Sequence, residues 1–270
     1  MSFQPVLPAT GLVGYRFLER TAESQQAAFR AAPTIARDAD HFRERISGIG
    51  SAAELVADRR LLRVALGAFG LQDDLPNRFF VRKVLEEGTS RPDALANRLT
   101  DDRYKALAQA FGFGEPEPPR TREPGFAEKI VSRFEAQEFE IAVGRQDETM
   151  RLALYAAREL GTIAAGDGGA DTKWFRIMGT PPLRRVFETA LGLPRAFGQQ
   201  DIDQQLETFR ERSERIFGTS DVAGFADADA RDRLVRQFVV RAQIEAAPSA
   251  GPGAVALALL QSSPPALAPR

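Results

Sequence analysis

The stretch DRRLLRVALGAFGL, from Asp58 to Leu71, decides the fold, because a related stretch returns as TPPLRRVFETALGL, from Thr180 to Leu193. Superposing Gly70 on Gly192 gives an offset of 122 residues (192 − 70) without a gap. In each copy a capping residue precedes an apolar stripe at helical spacing, and a glycine follows it. The pair therefore predicts one short amphipathic helix built twice, and with it an internal duplication.

The matched positions have the residue types that such a helix needs. Asp58 and Thr180 are the expected N-caps, since both can accept a hydrogen bond from a free backbone N–H group of the first turn. The apolar stripe recurs every three or four residues, which places it on one face of a helix. Its members are Leu61, Val64 and Ala68 in the first copy, and Leu183, Val186 and Ala190 in the second.

Composition and charge exclude several classes of function. The 270 residues include 36 Lys plus Arg and 37 Asp plus Glu, so the whole chain has no field that would attract nucleic acid or anionic lipid. The chain has no cysteine, which excludes disulfides, thiolate metal sites and cysteine nucleophiles. A nucleic-acid partner is therefore not expected.

Helical periodicity extends along most of the chain, and no stretch alternates like a strand, which predicts an all-α protein. Ser51 with Glu54 forms a capping-box pattern, and Thr100 is the expected N-cap of the helix that follows it. The stretch from Gly161 to Asp171 is predicted to be a flexible loop. The other helices are predicted over 12–31, 34–47, 76–87, 94–99, 126–143, 147–160, 201–217 and 227–245. Their expected core residues include Phe79, Phe80, Val84, Leu85, Ile202 and Ile244.

The duplication predicts two related multi-helix units packed into one body. The first unit spans residues 1–114, and the second spans 126–246. Between them, residues 115–125 contain prolines and alternating charges that cannot propagate a helix, which predicts a linker or hinge. Residues 247–270 form a tail rich in Ala, Pro and Ser.

No segment has the pattern of a membrane anchor or a secretion signal. The N-terminus lacks a basic region followed by a continuous apolar run, so it does not resemble a signal peptide. The apolar run Ala254–Leu260 is far shorter than the roughly 20 residues that span a bilayer. A cytoplasmic protein without a membrane span is expected.

Candidate chemical groups are better explained by structure than by catalysis. His41 is the single histidine, and no nucleophile or orienting partner is evident for it, so a packed or surface role is favoured. One histidine and no cysteine make a zinc site implausible. We therefore assign no catalytic, cofactor-binding or metal residue. The acidic groups, which we interpret mainly as helix caps, are Asp73 with Asp74, Asp101 with Asp102, and Asp227, Asp229 and Asp232.

The glycine-rich and arginine-rich stretches are interpreted as structural features and not as binding sites. GDGGAD and the FGFG of Phe111–Gly114 follow no predicted strand and lack the Lys-Ser/Thr ending of a phosphate loop. The arginine-rich faces have acidic residues nearby, so salt-bridged helix surface is expected. These faces contain Arg43, Arg45, Arg59, Arg60 and Arg63, and then Arg210, Arg212 and Arg215.

Several ordered stretches resemble one bacterial family. They include FRERISGIGSAAELVADRRLLRVALGAFGL (Phe42–Leu71), FVRKVLEEG (Phe80–Gly88) and ANRLTDDRYKALAQAFGF (Ala96–Phe113). MRLALYAARELG (Met150–Gly161) and PPLRRVFETALGLP with DIDQQLETF resemble its second half in the same way. Together they resemble domain of unknown function 1217 over roughly residues 12 to 245. The resemblance implies an alphaproteobacterial relative with a flagellar association in some members, and it supplies no catalytic residues.

The sequence thus favours a non-enzymatic helical module for protein–protein interaction, with flagellar assembly or regulation as an expected context. Helical repeats create grooves in which a partner helix can lie. A protein partner is expected, and a homo-oligomer remains open. The alternative is a small-ligand binder or an enzyme whose cavity lies between the two units, near Trp174 and Tyr104.

Overall fold

The structure is a computed structural model that describes residues 3–246, and over these residues every regular element is a helix. The prediction of an all-helical fold is confirmed there. Short 3₁₀ turns connect several of the α-helices. The α-helices are α1 (Gly11–Arg30), α2 (Pro33–Arg45), α3 (Ala52–Ala57), α4 (Arg59–Gly67), α5 (Arg78–Glu87), α6 (Leu95–Arg98), α7 (Asp102–Phe111), α8 (Phe126–Gly144), α9 (Glu148–Ala165), α10 (Ala170–Met178), α11 (Pro181–Leu191), α12 (Ile202–Phe217) and α13 (Ala228–Ala246).

Helix α4 forms where the first quoted stretch predicts it. The Asp58 carboxylate accepts hydrogen bonds from the backbone N–H groups of Arg60 and Leu61, at 2.9 and 3.1 Å. The predicted apolar stripe is buried, and it packs against α2, α3 and α8. Gly70, at φ +70°, then ends the helix in the left-handed region that only glycine adopts without strain.

Helix α11 has the same apolar face, and its predicted stripe is also buried. It ends at Gly192, where φ is +65°. Thr180 occupies the N-cap position of this helix, as predicted, but its side chain makes no capping hydrogen bond with the first turn. Its hydroxyl instead donates a hydrogen bond of 2.8 Å to the carbonyl of Arg176, one turn back in α10.

Most buried apolar side chains of the two halves form one continuous cluster, and Val84, Ala96 and Ala108 form a small second one. Helices α8 and α9 lie at the centre of the larger cluster, since α8 packs against α1, α2 and α4, and α9 packs against α11 and α13. An aromatic group fills the C-terminal half: Trp174 lies edge-on to Phe187, with ring centroids 5.4 Å apart, and is tilted against Phe209 at 5.7 Å. The halves therefore share a core.

The proline-rich stretch 115–125 is attached to the N-terminal half at both of its ends. The Glu115 carboxylate accepts a hydrogen bond of 2.7 Å from the backbone N–H group of Thr89. Thr121 is buried, and its hydroxyl donates to the Ile49 carbonyl at 2.7 Å. This stretch directs the chain into α8, which packs beside α4.

Three residues expected in the core lie on the surface. Phe79 is 82% exposed, Ile202 is 46% exposed and Ile244 is 68% exposed. In α5, Val81 faces the core together with Val84 and Leu85. The predicted core positions Val84 and Leu85 of α5 are therefore confirmed, and Phe79 is the one of its expected core residues that faces solvent.

Two local predictions are also wrong. The N-cap of α7 is Asp101 and not Thr100, because the Asp101 carboxylate accepts from the backbone N–H group of Arg103 at 3.0 Å. The expected loop from Gly161 to Asp171 is mostly helical: α9 continues to Ala165 and α10 begins at Ala170. The predicted tail at 247–270 lies outside the described residues.

Candidate functional site

A cleft of about 680 Å³ lies where the two halves meet. One wall is α7 of the N-terminal half, and the others come from α8, α9 and α10. The walls are joined by a backbone hydrogen bond of 3.0 Å, in which the N–H group of Asp102 donates to the carbonyl of Gly179. We name this depression the basic cleft, because basic side chains outnumber acidic ones in its lining.

Arg103 fixes the first turn of α7 at the edge of the cleft. Its guanidinium contacts the carboxylate of Asp101 at 2.6 Å and donates to the carbonyl of Gly70 at 2.5 Å. Gly70 lies in the turn that follows α4, so the Arg103 side chain ties the end of α4 to the cleft wall. The glycine also makes room, since a Cβ atom there would lie 3.3 Å from the Arg103 guanidinium.

The floor of the cleft is apolar and well packed. Its main side chains, all less than 8% exposed, are Phe69, Phe126, Ile130, Tyr155 and Ile163. Burial is the main cause that raises the pKa of the Tyr155 phenol, so the ring stays neutral. At the rim, Phe175 is 38% exposed, which leaves an aromatic surface open beside the floor.

Basic residues outnumber acidic ones along the cleft. The lining contains six basic and three acidic side chains, in a chain whose formal net charge is −1. The basic group is Arg103, Lys105, Arg120, Lys129, Arg133 and Arg176, and the acidic group is Asp102, Glu123 and Glu159.

Two of these cations are already paired. Arg103 pairs with Asp101, and Arg133 donates to Glu159 at 2.9 Å while its guanidinium lies 4.9 Å from the centre of the Phe69 ring. The other four have no carboxylate of residues 3–246 within 4.0 Å. These four are Lys105, Arg120, Lys129 and Arg176. Their charge is available to a ligand.

Asp102 is the acid that faces two of those cations. Burial of its carboxyl raises its pKa, and the charges of Lys105 and Arg176 oppose that shift without cancelling it. Its carboxylate lies against Gly179, where a Cβ atom would be 2.5 Å away. Asp102 is thus held close to the rim in a site with excess positive charge.

Below the cleft, a buried ion pair joins α8 to α9. Glu140, only 3% exposed, accepts hydrogen bonds from Arg158 at 2.7 and 3.1 Å. The Arg158 guanidinium also lies 5.3 Å from the centre of the Tyr155 ring and 2.8 Å from Glu159. These contacts hold the two long helices that carry most of the floor.

A second depression, of about 550 Å³, lies on the other side of Arg103. Arg103, Gln137 and Tyr155 line both depressions. Its remaining walls come from the C-terminal part of α8, the start of α9 and the two prolines that open α11.

The residues predicted to mark a cavity between the units line neither depression. Trp174 is fully buried in the C-terminal core, where its indole N–H donates to the Ser220 carbonyl at 2.8 Å. Tyr104 donates to the Asp74 carboxylate at 2.5 Å, on the side of α7 that faces α5. A cavity does lie between the halves near these two residues, since their chain neighbours Arg103, Lys105 and Phe175 line it, but the side chains of Trp174 and Tyr104 point elsewhere.

The other candidate residues have structural contacts. His41 Nε2 lies 2.8 Å from the Asp58 carboxylate, and Asp227 accepts from the backbone N–H group of Ala230 at 2.9 Å. Within residues 3–246, no group of three or more His, Asp or Glu side chains is placed to hold a metal ion.

The arginine-rich faces singled out in the sequence are partly salt-bridged. Arg43 contacts Glu128 at 2.9 Å, Arg63 contacts Asp38 at 2.8 Å, and Arg210 pairs with Asp171. None of these arginines lines the basic cleft. The sequence did not identify Lys105, Lys129 and Arg176 as cleft residues. The only pattern that points to them is a basic residue at the edge of the apolar face of a helix.

Comparisons with known proteins support the fold and leave the activity open. A family model described as protein of unknown function (DUF1217) matches residues 68–231. The crystal structure of a protein from Agrobacterium tumefaciens is similar, with a TM-score of 0.72 and 25% sequence identity over 90% of this chain and 99% of that one. Among curated proteins, none matches the sequence significantly. No helix within residues 3–246 combines the length and apolar character that crossing a membrane requires.

Proposed function

We propose that this chain, which belongs to the DUF1217 family of proteins of unknown function, is a non-enzymatic helical module that binds a protein partner in the basic cleft. Because the family name gives no activity, the proposal is argued from the geometry of the cleft. The observation that carries the proposal is the combination of an apolar floor with unpaired cations at the rim. Protein interfaces use this arrangement, in which buried apolar anchors lie inside a polar border.

Two carboxylates near the cleft, Asp101 and Glu159, are engaged in the fold and are not free for acid–base chemistry, whereas Asp102 and Glu123 line the cleft. Asp101 caps α7 and holds Arg103, while Glu159 accepts from both Arg133 and Arg158. A general base needs a free lone pair directed at the substrate. These two groups instead use their oxygens to fix the walls.

The internal duplication is part of the same proposal, with units at 1–114 and 126–246 joined by 115–125. It is supported by matched helix ends at the offset of 122. The N–H group of Leu71 donates to the Leu66 carbonyl at 2.9 Å, and that of Leu193 donates to the Glu188 carbonyl at 2.8 Å. The helices also follow in the same order, with α8 to α11 taking the places of α1 to α4. In this account the cleft is a groove between two repeats.

The cellular context proposed is flagellar assembly or regulation in the cytoplasm. It rests on the resemblance to a family in which some members accompany flagellar genes. Deletion of the gene is expected to reduce swimming in soft agar, with restoration by the wild-type gene. Normal motility in the deletion strain, together with capture of no flagellar component, would remove the flagellar part of the proposal.

The contact site can be tested by photo-cross-linking in the native cell. A benzophenone amino acid placed at Gln109, an exposed residue of the cleft lining, is expected to cross-link one protein partner. The matched control is the same amino acid at Glu207, an exposed position on α12 outside the lining. Equal cross-linking from both positions, or none from Gln109, would contradict the proposal.

A second candidate function is binding or conversion of a small molecule in the same cleft. The volume of about 680 Å³ favours it, because ligand pockets typically measure roughly 300–1,000 Å³. A thermal-shift screen of metabolites separates the two functions. A stabilising compound whose effect is lost in Lys129→Glu would favour the small-ligand function, whereas a screen without such a compound favours the protein partner.

A further inference from the structure

The charges and the apolar surface of the basic cleft indicate the chemical class of its protein partner. This inference rests on the proposed function. We infer that the partner segment is acidic and amphipathic, with apolar side chains that cover the floor and carboxylates beside them that meet the cations of the rim.

Charge is the first step of the argument. The lining has three more basic than acidic side chains, although the whole chain has a formal net charge of −1. Positive charge is therefore concentrated locally. Clefts lined by one sign of charge attract the opposite sign, and they raise both the rate and the selectivity of association.

The arrangement of the unpaired cations is the second step. Lys105 comes from α7, Lys129 from the first turn of α8 and Arg176 from α10, so the charges border the cleft from three helices. Arg120, from the stretch before α8, adds a fourth. A segment lying in the cleft meets these charges on more than one side, so its carboxylates need to be distributed along it.

The floor is the third step, and it separates a protein segment from a simple polyanion. The apolar surface that the cleft leaves open is mainly the ring of Phe175 at the rim, which is 38% exposed, beside a floor of Phe69, Ile130 and Ile163 that is already buried. Apolar side chains placed there remove this surface from water, which a chain of carboxylates or phosphates cannot do. The occupant therefore needs both apolar and acidic residues.

Asp102 is the fourth step, because it supplies a change that should strengthen binding. It lines the cleft together with Lys105 and Arg176, and their charges act on its carboxyl. It therefore competes with an acidic partner for the same cations and repels the partner's carboxylates. Removing its charge is expected to tighten the complex, a result that damage to the fold would not produce.

The test uses full-length protein and a fluorescein-labelled helical peptide of Leu and Glu, with Leu at positions i, i+3, i+4 and i+7. Fluorescence anisotropy at 0.15 M NaCl measures its Kd. Lys129→Glu combined with Arg176→Glu is expected to weaken binding at least about tenfold, and Asp102→Asn is expected to tighten it about two- to fivefold. The matched control is Arg20→Glu combined with Arg37→Glu, two exposed arginines outside the lining, which should leave Kd unchanged.

Further probes identify what the cleft recognises. Polyglutamate, a Leu and Lys helix, a single-stranded RNA and inorganic phosphate are each expected to bind at least about tenfold more weakly than the Leu and Glu helix. Equal binding of polyglutamate or RNA would overturn the inference, as would equal loss of binding in the two charge-reversed proteins. If Gln109 cross-links a partner through a segment without acidic residues, the inference fails while the proposed function stands.

Discussion

At the scale of the residue, Asp58 makes three contacts that stabilise the fold, although its side chain is only partly buried. Its carboxylate accepts from two backbone N–H groups of α4 and from His41. Burial acts to raise its pKa, but the hydrogen bonds from His41, Leu61 and Arg60 outweigh that effect and lower it. The ionised form is thus the one that stabilises the folded state.

We expect Asp58→Ala to lower the free energy of unfolding by about 1 kcal/mol at pH 7, measured by urea denaturation. A carboxyl with a lowered pKa stabilises the fold above its ordinary value of 3.8 and loses that effect as pH falls through the lowered pKa. The difference between variant and wild type should therefore shrink below pH 3.8. The exposed Asp73, changed to Ala, is the control and should have little effect. A loss as large for Asp73→Ala as for Asp58→Ala would argue against capping.

The burial of individual residues is the feature that the sequence predicts least well. Phe79, Ile202 and Ile244 are apolar, yet all three are exposed. Periodicity identifies a helix and its approximate face, but a rotation of one position at the first or last turn moves a side chain from core to solvent. Only the neighbouring helices fix that rotation.

At the scale of the element, α4 and α11 are followed by glycines in the same backbone conformation. Gly70 and Gly192 have φ of +70° and +65°. Alanine at either position is expected to reduce the free energy of unfolding by about 1–2 kcal/mol, because the left-handed region is strained for any residue with a Cβ atom. At Gly192 the new Cβ would also meet the Arg241 side chain, which can move.

Two other glycines provide the controls for that strain. Gly218 has φ +76° and open space around it, so Gly218→Ala should show the backbone strain alone. Gly48 has no neighbour within 4 Å and no positive φ, so Gly48→Ala should be nearly neutral. If Gly48→Ala cost as much as Gly70→Ala, the conformational explanation would be wrong.

The ion pair between α8 and α9 gives a second prediction at this scale. Arg158→Ala is expected to cost about 3–5 kcal/mol, because Glu140 would remain buried without its cation. Burial already raises the pKa of Glu140. A carboxyl with a raised pKa destabilises the fold when ionised, so stability should recover as pH falls through that pKa. Combining Arg158→Ala with Glu140→Gln should likewise restore part of the loss. A small loss of unfolding free energy that does not vary with pH would show that Glu140 is not left as an unpaired buried charge.

Helix positions were largely predictable from the sequence, since the stripe, the caps and the terminal glycines are local signals. The helical structure of the stretch from Gly161 to Asp171 was not predictable, because its glycines suggest a loop. Helix α9 nevertheless continues through Gly161, with Ile163 and Ala164 buried beyond the predicted end. Tertiary burial overrides weak helix propensity there.

At the scale of the whole molecule, the continuous core predicts that the halves unfold together. Trp174 is the single tryptophan and is fully buried in the C-terminal half, whereas circular dichroism reports all the helices. The two signals are expected to give coincident transitions in urea, as a cooperative unit requires. A tryptophan transition separated from the dichroism transition would mean that the C-terminal half is a separate domain.

The basic cleft could not be predicted from the sequence, since its parts are far apart along the chain. Lys105, Lys129 and Arg176 come together only when α7, α8 and α10 are brought to the same cleft. The sequence does predict two multi-helix units, and a groove between them follows from that expectation. Which side chains line the groove depends on the packing.

Hydrogen exchange of the protein, alone and saturated with the partner captured through Gln109, tests the central claim most directly. If the basic cleft is the contact surface, exchange should slow in α7, in the first turns of α8 and in α10, and remain unchanged in α12. Protection confined to α1, α12 or α13, with α7 and α10 exchanging as in the free protein, would contradict it.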